Sequence, residues 1–332
     1  MYYRKIKSGR WLFEIQKIGY PRLSKSFKDI RIGKKWAKKI EHEIEIGSYE
    51  DLTLASKTTI KSLLIKYRDE ITLNKKGFRE ETSKLNLLIK NEIAAHTITQ
   101  LKAHNLYKLK KEFSETRAPA TVNKYIHMLH NVWNTAKRVW GITLPAYNPF
   151  ELVQLEKVDN ARDRVLSKEE YSKLIEACEQ SYLPIIKDIV IFAYETGARQ
   201  GEILKLKRND IDFQNNLCTL RDTKNGDDRT IPLTTKALEI LQKHRFGLLV
   251  FSGLLARRLR KHFTIACKIA NIKDFRFHDL RACFCTNALL SGMSIPEVAT
   301  ISGHKDWKQL KRYSRIKPKD LLKKINKIVT LK

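Results

Sequence analysis

No run in the 332 residues approaches the roughly 20 consecutive apolar positions of a membrane helix, and the opening MYYRKIKSGR lacks the apolar core of a secretion signal. A cytoplasmic protein with no membrane partner is therefore expected. CxxC pairs are missing as well. The five cysteines, Cys178, Cys218, Cys267, Cys283 and Cys285, are odd in number and scattered through apolar stretches, as free thiols of a reducing compartment are. Cys283 and Cys285 have only His278 near them, so a place in the core is expected and a metal is not. Internal repeats and low-complexity tracts are lacking too. Acid is scarce beside base: 36 Asp and Glu face 65 Lys and Arg, a formal charge of +29 spread from the first residues to the last. Such a surface suits a long polyanion, because every phosphate neutralised releases condensed counterions. A ribosome-associated or merely soluble basic protein would carry the same charge, so charge alone does not choose.

What is present is enough apolar material, 42% of residues, for two or three packed domains. Residues 1–50 open with short alternating runs, Trp11, Phe13 and Ile15 sharing one face, and continue with a helical period over 30–46 on Trp36, Ile40 and Ile44. A three-stranded β-sheet backed by a helix is expected. Basic residues among the aromatics, Arg10, Arg22 and Lys25 in particular, suit a sheet lying in a DNA groove, although a solvated basic face reads the same way. Residues 53–145 read as a helical domain, with patterns near 58–73, 80–93, 99–115 and 119–140. The last has Pro119 at its start, Gly141 at its end, and Lys124 off the apolar stripe, where it can meet phosphate. A loop from Thr143 to Arg164 precedes a third domain, 164–332. This one is mixed α+β: a capping box at Ser167 and Glu170, helices near 168–180 and 184–196, and a hairpin of runs 217–221 and 229–233 around Asn225-Gly226. Further helices are expected near 235–244, 254–270, 278–291, 294–301 and 306–314, and the tail from Pro318 carries an apolar helical stripe on Leu321, Leu322, Ile325, Ile328 and Val329. The fold class is thus mainly α with small β elements.

Four fragments in the third domain are weak singly. Thr196-Gly197-Ala198-Arg199 places a helix-ending glycine before Arg199 and Glu202, which alone reads as a surface ion pair. Lys224 sits at the hairpin turn. His278-Asp279-Leu280-Arg281 sets His and Arg one turn apart at a helix start. Ser302-Gly303-His304 is followed nine residues later by Tyr313, which alone reads as a packing tyrosine. Together, in this order, they resemble the motifs of the tyrosine recombinases, the phage-type integrases, over about residues 165–325. The helical domain is similar to that family's core-site-binding domain by position, and residues 1–50 look like the arm-site-binding domain of some integrases. Departures exist: Ser302 stands where the family usually has leucine, Leu310 where it often has threonine, and Ala282 and Cys283 follow HDLR where polar residues are common.

The residue types suit phosphodiester exchange without metal or ATP. Arg199 and Arg281 offer paired donors to the non-bridging oxygens. Tyr313 is the expected nucleophile, its phenol made more acidic by those cations, and Lys224 the expected general acid toward the leaving oxygen. His278 and His304 are expected to bond phosphate or tyrosine, with Glu202 orienting Arg199 or His278. The resemblance implies a 3′-phosphotyrosyl intermediate, a homo-tetramer on double-stranded DNA with specific sites, exchange of the tail helix between protomers, and accessory DNA-bending or directionality proteins. The rival expectations are a type IB topoisomerase-like nicking enzyme and a non-catalytic DNA-binding protein of the same fold.

Overall fold

The computed structural model describes residues 1–158, 162, 164–221, 228–244, 246–252, 254–310 and 313. Two compact units divide the chain, Met1–Asp159 and Asn160–Lys332, and the division lies inside the 143–164 loop. Lys224, the Asn225-Gly226 turn and the tail from Pro318 fall outside the described residues.

In the first unit, β1 (Tyr2–Lys5), β2 (Trp11–Ile15) and β3 (Leu23–Phe27) form an antiparallel sheet in sequence order. The register sets Phe13 between Tyr3 and Lys25, so the period of two turns Trp11, Phe13 and Ile15 to one face. That face packs on α1 (Ile30–Glu45), whose first turn is closed by the Asp29 carboxylate accepting from the Arg31 amide at 2.7 Å. Gly33 is required by the approach: a Cβ there would stand 1.9 Å from the Phe13 ring. A helical group follows, α2 (Thr53–Lys57), α3 (Ile60–Glu70), α4 (Phe78–Lys90), α5 (Ala103–Ser114) and α6 (Pro119–Arg138). The apolar stripe of α6 is buried from Val122 to Ala136, and Trp140 just beyond it donates to Glu70 at 2.9 Å. α2, too short to show a period of its own, falls at the start of the segment expected to be helical.

The second unit is built around α8 (Ile185–Thr196), against which α7 (Lys168–Glu179), α10 (Thr235–Lys243) and α12 (Asp279–Leu290) pack. An apolar helix in the middle of a layer is the expected result of IIKDIVIFA, because only Lys187 and Asp188 interrupt its apolar surface. Its one buried carboxylate, Asp188, is matched by Lys243 Nζ at 2.8 Å and His244 Nε2 at 2.7 Å. Short α9 (Gln200–Lys205) leads to a sheet of β4 (Ile211–Asp212), β5 (Leu217–Leu220) and β6 (Arg229–Pro232), then α11 (Ala256–Ile269), with α13 (Ile295–Ser302) after α12. The two-residue β4 leaves no alternation to read in the sequence.

One expected helix differs. Over 306–314 the described residues hold a 3₁₀ turn, Trp307–Leu310, with Gln309 bonded to Asp306 and Tyr313 to Leu310, both at i to i+3 spacing. The tighter winding accompanies full burial of Leu310 in a cluster with Leu289, Val298 and Ala299.

Adding a methyl at Gly33 forces the Phe13 ring and α1 apart, so Gly33→Ala is expected to destabilise residues 1–46 by about 1–3 kcal/mol despite alanine's better helix propensity. Hydrogen exchange in β1–β3 reads it; protection equal to wild type contradicts the packing.

Candidate active site

Two helices end on glycine in the left-handed conformation, α8 at Gly197 (φ 61°) and α13 at Gly303 (φ 72°). A side chain at Gly197 would also strike Phe284, whose ring lies 2.4 Å from the would-be Cβ. Each glycine carbonyl holds an arginine. Arg281 Nη1 donates to Gly197 O at 2.9 Å, and Arg199 Nη2 donates to Gly303 O at 3.1 Å. The fragments at 196–199, 278–281 and 302–304, far apart in sequence, are thereby tied crosswise.

Glu202 is the electrostatic centre. Its side chain is 4% exposed, and it accepts from the Arg199 amide and Nη1, both at 2.8 Å, and from Arg229 Nη1 at 3.0 Å and Nη2 at 2.7 Å. Burial alone would raise its pKa, but the bonds from Arg229 and Arg199 prevail and hold it down to about 2. Arg281 is more deeply placed. Burial, with Arg199 adding repulsion, lowers its pKa to about 10, which leaves it charged at neutral pH.

Arg281 Nη2 lies 3.3 Å from both ring nitrogens of His304, and Ser302 Oγ lies 2.7 Å from His304 Nδ1. The Ser302 hydroxyl donates to the Val298 carbonyl, which can only accept. Its one proton being spent there, His304 Nδ1 carries the hydrogen and Nε2 keeps its lone pair. Burial, then repulsion from Arg281 and Arg199, pushes the His304 pKa down to about 3, in keeping with a neutral ring. The Tyr313 ring centre is 6.4 Å from that of His304, and the half-buried tyrosine packs beside Leu310. His278 is exposed at the N-cap position of α12, where its side chain makes no capping bond, and it adds to the positive field at His304.

The phage integrase family model matches residues 164–320. A shufflon-specific DNA recombinase of Escherichia coli is 31% identical over 283 residues, 81% of this chain and 72% of the relative. A putative integrase/recombinase of Haemophilus influenzae is 30% identical over 319 residues, covering 91% and 84%. The chain belongs to the phage integrase family. It is an enzyme that breaks and rejoins DNA strands, a site-specific tyrosine recombinase. Solved structures agree in fold: the Tn1549 transposon integrase in complex with a circular intermediate DNA at TM-score 0.68 and 17% identity, over 82% of this chain and 99% of that one. A lambda integrase dimer bound to a COC′ core site matches at TM-score 0.65 and 20% identity, over 94% and 93%.

Sequence reasoning about this integrase missed Arg229. Its signal was the strand period: Arg229 shares a face with buried Ile231 and stands opposite buried Leu220, a position where charge demands a partner. The departures from the family pattern also acquire roles. Ser302 fixes the His304 tautomer, Leu310 fills a core, and Cys283 Sγ accepts the Leu166 amide at 3.4 Å. All five thiols are buried, and burial pushes their pKa values up to about 11 or 12, so they are chemically quiet. In the first unit, Arg10 bonds Ser26, exposed Arg22 pairs with Glu14 at 2.6 Å, and exposed Lys25 reaches over the Phe27 ring. Lys124, exposed on α6, lines a groove of mixed charge with Lys75, Lys84, His127, Glu80 and Glu81.

A histidine whose folded pKa is depressed contributes stability that is complete above its unfolded value near 6.5 and is lost as pH falls toward about 3. The ¹⁵N shifts of His304 should therefore report a neutral Nδ1–H ring at pH 5; an imidazolium at that pH contradicts the site geometry. Removing the carboxylate strands buried guanidinium charge, so Glu202→Ala is expected to cost the second unit about 3–5 kcal/mol in denaturant unfolding. A loss below about 1 kcal/mol would mean that the pairs are solvated.

Proposed function

We propose that Tyr313 is the nucleophile of the recombinase reaction and that Arg199, Arg281, His304, His278 and Lys224 serve it. The observation that supports this most is the convergence of the crosswise arginines with His304, whose ring centre lies 6.4 Å from that of Tyr313. In the reaction, Tyr313 Oη bonds to phosphorus, the bond to the 5′-oxygen breaks, and the phenolic proton passes to solvent water. Arg199 and Arg281 take the charge on the non-bridging oxygens through guanidinium forks. Lys224 protonates the departing 5′-oxygen. An arriving phosphate is an opposite charge, so it draws the His304 pKa upward and allows Nε2 to donate, with His278 assisting from the start of α12. The 3′-phosphotyrosyl ester conserves the energy of the broken bond, and a second 5′-hydroxyl reverses the step without metal or ATP.

The partner is double-stranded DNA bearing specific sites. Residues 1–50, through Arg10, Arg22 and Lys25, bind flanking arm-type sites; residues 53–145, with Lys124, bind the core site; residues 164–332 hold the catalytic centre. A lambda integrase tetramer bound to a Holliday junction, aligned at TM-score 0.63 and 19% identity, is the pattern for the proposed assembly, a homo-tetramer in which tail helices exchange. Accessory DNA-bending or directionality proteins act on it in the cytoplasm. Among the described residues no helix is long and apolar enough to cross a membrane.

The test uses a pool of nicked suicide duplexes of randomised sequence, from which SDS-resistant, proteinase-sensitive adducts are recovered and sequenced. Wild type should yield adducts on a defined sequence, unaffected by EDTA, and Tyr313→Phe none. An adduct in the Tyr313→Phe variant, or loss of wild-type adduct with EDTA, refutes the mechanism. Deletion of residues 1–50 should spare cleavage of the recovered core duplex while weakening binding to longer DNA with flanking sites; equal loss of both argues against separate duties.

A further inference from the structure

We propose that Arg229 is a positioning residue of the cleavage site: by sharing the Glu202 carboxylate it keeps Arg199 aimed at the scissile phosphate and seats the turn that carries His304. The inference deepens the reading above and rests on it.

The argument starts from acceptor capacity. A carboxylate has about four lone-pair sites, and here four donors fill them: the Arg199 amide, Arg199 Nη1, and the two Nη groups of Arg229. Arg199 is therefore limited to one guanidinium contact with Glu202, and its Nη2 goes to Gly303 O at 3.1 Å. With Arg229 gone, two acceptor sites open within reach of Arg199, and a forked pair with Glu202 becomes the favoured geometry. That fork is the one the phosphate needs. The local charge changes as well: Arg199, Arg229 and Arg281 against Glu202 sum to two positive charges, and to one without Arg229.

The third contact concerns His304. Arg229 Nε donates to Ile301 O at 2.9 Å, in the last turn of α13, one residue before the Ser302-Gly303-His304 turn. The backbone there lies directly on the guanidinium, since a Cβ at Gly303 would meet Arg229 Nη1 at 2.9 Å. Arg229 itself is 12% exposed and sits at the start of β6, so it joins the sheet to α9 and α13 at one point. A lysine can supply the charge but not three in-plane donors.

The experiment uses the suicide duplex recovered from the randomised pool and the full chain. Single-turnover adduct formation and duplex affinity are measured separately for wild type, Arg229→Met, Arg229→Lys and Arg229→Met combined with Glu202→Gln. Arg229→Met is expected to cleave about 10- to 100-fold more slowly with affinity changed by less than about threefold, as loss of a supporting partner does. The double variant should recover about tenfold over Arg229→Met, because a neutral amide no longer captures Arg199. Arg229→Lys carries the test if the methionine variant does not fold: about tenfold slower cleavage at unchanged affinity is expected. Wild-type cleavage by either single variant, a parallel fall of affinity and rate, or a double variant slower than Arg229→Met overturns the proposal. If wild type itself forms no adduct, or Tyr313→Phe still does, the failure belongs to the proposed mechanism and not to Arg229.

Discussion

One carboxylate surrounded by guanidinium groups governs the second unit. Three arginines in one small volume would repel, and burying even one unpaired charge costs several kcal/mol. Glu202 resolves this by accepting four hydrogen bonds from two of them, and the carbonyls of Gly303 and Gly197 each accept one donor, from Arg199 and Arg281 respectively. The net result is a preorganised excess of positive charge with its donors fixed in direction. Such an arrangement stabilises charge that develops on phosphate without first having to reorganise. Neither glycine has room for a side chain, since a Cβ would meet the Phe284 ring at Gly197 and the Arg229 guanidinium at Gly303.

Around that centre the chain departs from its family in ways that the packing absorbs. A leucine before Gly-His would bury carbon only. Ser302 is equally buried, yet its hydroxyl is used twice, donating to Val298 O and accepting from His304 Nδ1, so the histidine tautomer is set by the residue two positions before it. Leu310 enters the cluster beneath Tyr313, which ties the position of the tyrosine to the packing of α12 and α13. These substitutions change which side chains pack and hydrogen-bond around His304 and Tyr313.

The start of α12 is held from the other side. Asp279, second residue of the HDLR motif, is buried and accepts both the Arg276 amide at 2.8 Å and a forked contact from Arg162, which also bonds Asp274. Arg164 pairs with Glu170, and the Leu166 amide reaches Cys283. The chain entering the second unit is thus fastened to α12, the helix that carries Arg281.

Periodicity and order were enough to read much of this molecule in advance. The Trp11, Phe13 and Ile15 alternation, the α6 stripe and the capping box at Ser167 are local patterns, and local geometry follows from them. The order of Arg199, Lys224, HxxR, Gly-His and Tyr313 carried the family, since sequence spacing survives even where the surroundings change. What the sequence could not settle was pairing across distance. Whether Arg199 and Glu202 make a solvated surface pair or part of a buried centre depends on Arg229, 27 residues away, and on a turn more than 100 residues away. Burial, tautomer and hydrogen-bond partner are properties of the packed neighbourhood, and only the tertiary structure brings that neighbourhood together.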